Sequence, residues 1–255
     1  MTDSEPGAVP TAPGGTEPGI TPFSALAGTF TSPANTFAGL VRRPTWWLPL
    51  LIWLVAVTVL VVVSMPKIDM ERTFREMFEA RAAKTGQSMS DEQIRELAAR
   101  SEKTPLKAAA QSVPVFALTF FFVTLVLWGG ARAFGSEARF AQVASVWSHA
   151  NLPNVVGVLV AIPILASLPD ASETQFSLQK ALKSNVGAFL PSDTGAFLAS
   201  VASSIDLFSL AALALLVIGM KKLPAMPSGG GVAVPVVLWS LYVLGKAAIA
   251  AVFLG

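Results

Sequence analysis

The 255 residues contain no cysteine. Disulfides, thiolate metal ligands and thiol nucleophiles are therefore excluded. Histidine occurs once, at His149, and tyrosine once, at Tyr242. A metal centre needs three or four donors, and no second histidine or carboxylate cluster completes one here, so no metal or cofactor is expected. Charge is scarce too: Lys, Arg, Asp and Glu make up 13% of the chain, against about a quarter in soluble domains. The net charge of +2 is too small for a nucleic-acid surface. The stretch GSEARFAQ, from Gly135, lacks the glycines and lysine of a phosphate loop, and no G-x-S-x-G elbow or HExxH helix occurs. The chain reads as no enzyme. Residues 1–19 hold neither Lys nor Arg and no apolar core, so no cleavable signal peptide is expected there. Their Pro, Gly and Thr cannot bury enough surface to offset ordering, which predicts a disordered tail over 1–22 ahead of a membrane domain over 23–255.

What the chain does have is apolar length. Hydrophobic residues make up 53% of it, and mean hydropathy is +0.61. A hydrocarbon core about 30 Å thick takes roughly 20 residues of helix. Five runs qualify: 46–66, 109–131, 147–168, 197–220 and 234–254. The fold class is therefore all-α, a polytopic membrane protein of five transmembrane helices with amphipathic surface helices. Pro153 and Pro163 are expected to bend the third span.

Five spans put the termini on opposite sides. With the N-terminus inside, the cytoplasmic side carries Arg42, Arg43, Arg132, Arg139, Lys221 and Lys222. The other side carries more cations, but most lie in the 67–107 excursion, where they mix with acidic residues. The doublets Arg42-Arg43 and Lys221-Lys222 abut span ends without a neighbouring acid, which favours a cytoplasmic N-terminus and an extracytoplasmic C-terminus. These four residues are candidate lipid-headgroup contacts.

The excursion predicts two helices. Met70, Phe74, Met77 and Phe78 form a stripe at helical spacing that ends near Gly86, and Ser90 to Gln93 reads as a capping box. Before the first span, Ser32 and Pro33 open a short helix that places Phe37, Leu40 and Val41 on one face and Arg42-Arg43 at its end. It is expected to lie on the membrane surface.

The runs SPANTFAGLVRRPTWWLPL, SHANLPNVVG and SIDLFSLAALALLVIGM resemble the YIP family of Rab/Ypt-interacting multispanning membrane proteins, over roughly residues 25 to 254. The resemblance implies five spans and a cytoplasmic N-terminus. The Asp-Leu-Tyr-Gly-Pro signature of the eukaryotic members is absent. The resemblance is thus to bacterial-type members, and Rab binding is not implied.

One acid interrupts the fourth apolar run. Asp206 lies nine residues from Phe197, about 13 Å into the span. A carboxylate there costs about 2.5–3.5 kcal/mol on insertion scales, so it is expected to be neutral, paired or facing water. Lys246 lies eight residues before Leu254, about 12 Å from the end of the fifth span. In an antiparallel hairpin the two reach similar depth. Ser203 and Ser209 share the Asp206 face, and Tyr242 shares that of Lys246. His149 is a candidate relay at the start of the third span. Asp206, Lys246, Tyr242, Ser203, Ser209 and His149 thus form a candidate intramembrane polar cluster. Either Asp206 and Lys246 form a structural pair, or Asp206 titrates and couples ion movement to a substrate path. The paired reading predicts that Asp206→Asn impairs insertion or assembly and that swapping the two charges partly restores it.

The function expected is that of a non-enzymatic membrane-organising or adaptor protein, with the bilayer, other membrane proteins or further copies of itself as partners. The alternative is a small-substrate transporter, or a subunit of one, with Asp206 as the coupling acid.

Overall fold

The computed structural model describes residues 21–101, 104–168, 183–191 and 193–254. The tail expected over 1–22 therefore lies almost wholly outside the described residues. Among these residues the chain is helical, with one isolated bridge as its only β-type pairing. Two short helices, α1 (Pro22–Thr31) and α2 (Pro33–Arg42), precede the first long one, α3 (Trp47–Ser64). A polar hairpin follows, made of α4 (Met70–Thr85) and α5 (Asp91–Ser101), then α6 (Pro105–Ala133). The pair α7 (Phe140–Ala150) and α8 (Leu152–Ala166) continue one into the other, followed by α9 (Ala196–Ser204), α10 (Leu207–Met220) and α11 (Ser228–Leu254).

Among the described residues four helical stretches are long and apolar enough to cross a membrane: Trp47–Lys67, Pro105–Ala133, Phe140–Ala166 and Ser228–Val252. This is a polytopic all-α membrane protein. The third stretch begins at Phe140, seven residues before the expected start, because Val143, Ala144 and Val146 are buried in the core rather than in a loop. The expected fourth span, 197–220, is not one helix. It is split into α9 and α10, and only Leu207–Met220 remains as an apolar helix too short to count with the others.

The long helices pack as a ring in which α6 touches α3, α3 touches α8, α8 touches α10, α10 touches α11, and α11 returns to α6. α7 fills the middle of one end, packed against α2, α6 and α10. The main core lies there: Phe37 and Leu40 of α2, Val143 and Val146 of α7, Leu127 of α6, and Leu216 and Met220 of α10. The apolar face of α2 is thus spent on the bundle, which corrects the expectation that it rests on lipid. Ser32 does not cap α2 through its side chain; its hydroxyl takes a hydrogen bond from Asn35 instead. α1, which sequence reading left undefined, is closed by a reciprocal box between Thr21 and Ser24.

Polar side chains tie the loops of this end together. Gln142 donates to the Val41 carbonyl at 2.8 Å, joining the end of α2 to the start of α7. Ser136 donates to Pro224 O at 2.7 Å, joining the α6–α7 turn to the α10–α11 turn. At the opposite end the hairpin is closed by charge. Arg75 reaches Glu71 at 3.0 Å on its own helix and Asp91 at 2.5 Å across the turn. These acceptors raise the Arg75 pKa above its usual value, with Asp91 the larger cause. Gly86 ends α4 at φ +70°, in the left-handed region where a side chain would be strained.

Close helix approach in the core rests on Gly219 of α10. A Cβ there would lie 2.5 Å from Val146 Cγ1 and 3.0 Å from Phe37 Cδ1. Gly129 of α6 has no neighbouring atom within 4 Å. Gly219→Val is expected to destabilise the protein by about 1–3 kcal/mol, the cost of overpacking, while Gly129→Ala leaves stability intact or raised. Thermal unfolding midpoints of the two full-length variants in one detergent check this contrast.

Candidate functional site

The break between α9 and α10 starts in the serines that precede it. Ser203 Oγ and Ser204 Oγ both bond back to the Ser200 carbonyl at 2.9 Å, competing with the helical ladder. Ile205 and Asp206 then leave helical geometry, and Asp206 adopts φ −120°, ψ 144°. The N–H groups opening α10 would be orphaned at this depth. Asp206 takes two of them: Oδ1 accepts from Phe208 N at 2.9 Å and from Ser209 N at 3.1 Å. Asp206 is the N-cap of α10.

The unwound backbone is paired as well. Residues 184–186 run antiparallel beside it, with Val186 N donating to Ile205 O and Leu207 N to Ser184 O, each at 3.1 Å. The Ser184 hydroxyl donates to the second carboxylate oxygen of Asp206. Asn185 caps the 3-10 turn Val186–Phe189 by accepting from Ala188 N at 3.0 Å. Gly187 lets this turn press against α9, since a Cβ would fall 2.9 Å from Ser203 N. Non-helical backbone is tolerated at membrane depth only where protein partners satisfy it.

The expected cluster is brought together only in part. Asp206 and Ser209 meet at the break, Ser209 through its backbone N–H, while the Ser203 hydroxyl turns back to the Ser200 carbonyl. Lys246 reaches this region from α11, where Nζ donates to Ser203 Oγ at 3.4 Å. Its partner is a hydroxyl one turn before the acid. No ion pair joins Asp206 and Lys246 among the described residues, which corrects the expectation of a direct pair. The physical reason is the cap: Asp206 points along the start of α10 to hold its N–H groups. Tyr242 is 65% exposed, with no hydrogen-bond partner among the described residues, and does not join the acid.

His149 sits elsewhere. It is fully buried in α7, and its Nδ1–H donates to Ser145 O at 2.9 Å. Its hydrogen-bonding neighbours, Ser145 and Ser148, lie on its own helix, so the structure does not join it to Asp206. Among the described residues no three His, Asp or Glu side chains gather into a metal-holding group.

The headgroup candidates share one end of the bundle. Arg42 and Arg43 follow α2, Lys221 and Lys222 follow α10, and all four are exposed. Arg132 and Arg139, at the end of α6 and the start of α7, join them there. Glu137 is the acid of this end among the described residues.

Sequence reasoning missed Ser184, Asn185 and Gly187. A signal existed for half of this motif: an acid directly before an apolar run is a helix-start pattern, and Asp206 has it. Ser-Asn-Val-Gly at 184–187 reads as a turn, but nothing local names its partner twenty residues later.

A family model for the Yip1 domain matches residues 27–249. Membrane protein YknW of Bacillus subtilis (strain 168) is similar, 26% identical over 219 residues that cover 86% of this chain and 87% of the relative. No solved structure matches.

If Asp206 works as a cap, asparagine can replace it, because Asn caps a helix as well as Asp does. Asp206→Asn is expected to stay near the parent in stability, whereas Asp206→Ala loses about 0.5–2 kcal/mol. Exchanging the charges of Asp206 and Lys246 is expected to restore nothing. Detergent unfolding of the variants decides; an Asn variant as damaged as the Ala variant returns the charge itself to the centre.

Proposed function

This chain belongs to the Yip1 domain family, and on that premise we propose that it is a non-enzymatic membrane-organising or adaptor protein. Its basic end faces the cytoplasm and anionic headgroups, and it gathers other membrane components around the bundle. The observation that carries this reading is the asymmetry of charge. Six exposed cations ring the α1–α2 end with one acid among the described residues there, whereas Arg72, Arg75, Arg95 and Arg100 of the α4–α5 hairpin are engaged with acids. Unneutralised cations flanking spans favour the cytoplasmic side. Each Lys or Arg close to an anionic leaflet contributes about 1 kcal/mol of attraction. The basic end is also the better-packed one, with α2 and α7 filling its centre, so it offers a rigid platform.

The transporter reading has less behind it. Both carboxylate oxygens of Asp206 hold donors from the chain itself. The cavity at the hairpin end is lined by residues from Met65 to Pro105 and by none from α9, α10 or α11.

Reversing Arg42, Arg43, Lys221 and Lys222 to glutamate is expected to cut the phosphatidylglycerol retained by the purified protein severalfold. Native mass spectrometry of parent and variant reads this directly. Crosslinking in native membranes is expected to return repeated protein neighbours or further copies of this chain; recovery of none sinks the adaptor role.

A further inference from the structure

At the hairpin end, where α3 stops and α6 begins, the chain forms a half-open cavity of about 850 Å³. That is the size of a small-molecule site. Its wall is largely apolar: Met65, Pro66, Ile68 and Met70 on one side, Ala98 and Ala99 of α5 on the other, with Pro105 closing it. Its charged groups among the described residues are Asp69, Glu71 and Arg95.

These three are not equivalent. Glu71 is shared by two guanidinium groups, Arg75 at 3.0 Å and Arg95 at 3.4 Å. It is neutralised within the protein, and Arg95 with it. Asp69 has one donor, the Arg72 backbone N–H on Oδ1 at 2.9 Å, which caps α4. No cation of the described residues pairs with it. The cavity therefore combines an apolar wall with one unneutralised carboxylate. Two spans leave the lipid at its rim, since Met65 and Pro66 follow α3 and Pro105 opens α6. A molecule resident in the bilayer surface reaches it sideways, without crossing water.

We infer that this cavity is a binding site for an amphiphilic ammonium compound, its cationic nitrogen on Asp69 and its apolar arm against Met65, Met70 and Ala98. An anion finds Arg95 already engaged. A metal ion finds too few free carboxylates. The ammonium can belong to the headgroup of an aminophospholipid or to a free alkylamine.

Two measurements on the full chain separate these sources. Protein is taken from vesicles of phosphatidylethanolamine and phosphatidylglycerol, and its retained lipid is read by native mass spectrometry. Binding of n-octylammonium is titrated calorimetrically in phosphatidylglycerol nanodiscs. Asp69→Asn removes the charge and keeps the cap, because Asn caps as well as Asp. Ala99→Trp fills the cavity from the exposed side of α5. The parent is expected to bind one or both probes, with Asp69→Asn weakening binding about tenfold, the scale of one hydrogen bond to a charged group, and Ala99→Trp abolishing it. Enrichment of phosphatidylethanolamine identifies a lipid headgroup as the occupant. Octylammonium binding without enrichment identifies a free amine. A parent that binds neither, or variants that bind as the parent does, overturns the site.

Discussion

A backbone inside hydrocarbon has no water to bond, so every N–H and C=O that leaves a helix needs a partner from the protein. The break between α9 and α10 meets this demand with a short segment, Ser184 to Val186, and one carboxylate. The rest of this side of the bundle follows from that solution. α9 can turn away from α10 because Asp206 holds the first N–H groups of the new helix. The segment can lie against α9 because Gly187 has no side chain to obstruct Ser203. α11 then supports both half-helices, and Lys246 meets the serine of the first rather than the acid of the second. An aspartate that reads as a charge stranded in an apolar run is a helix cap.

This also explains which parts of the structure could be read from the chain. The uncharged runs around Leu50, Phe120 and Val237 identified their helices, because length and hydropathy suffice to place a continuous helix. The excursion was legible for local reasons: Gly86 ends α4 in the left-handed region, and Ser90 and Gln93 exchange the two bonds of a capping box. The break at Ile205 was hidden because apolar residues continue on both sides of it. Hydropathy does not register a change of direction. The fate of the α2 face was hidden as well. Phe37, Leu40 and Val41 have the same spacing whether they meet lipid or Val146 and Met220. Only the third dimension, through Gly219, distinguishes the two.

The two ends of the bundle handle charge differently. At one end the cations stand exposed, and loops are joined by neutral hydrogen bonds such as Gln142 to Val41 O and Ser136 to Pro224 O. At the other, arginines and acids pair across the α4–α5 turn, with little net field to offer. Exposed ion pairs contribute little stability, about 0–1 kcal/mol each, so the hairpin is held largely by its short turn and by apolar contacts such as Ile94 and Ala98. A well-filled core under the basic end and a looser hairpin at the other divide the molecule into a firm side and a yielding one.

α10 has 14 residues, a rise of about 21 Å against a hydrocarbon thickness of about 30 Å. Its neighbour α11, with 27 residues, is nearly twice as long. One flank of the molecule is therefore short of continuous apolar helix, and the break with its paired segment makes up the remainder. A bilayer meets such mismatch by thinning around the protein, at a cost that grows with each ångström. A helix this short on one flank is where such thinning would be felt first.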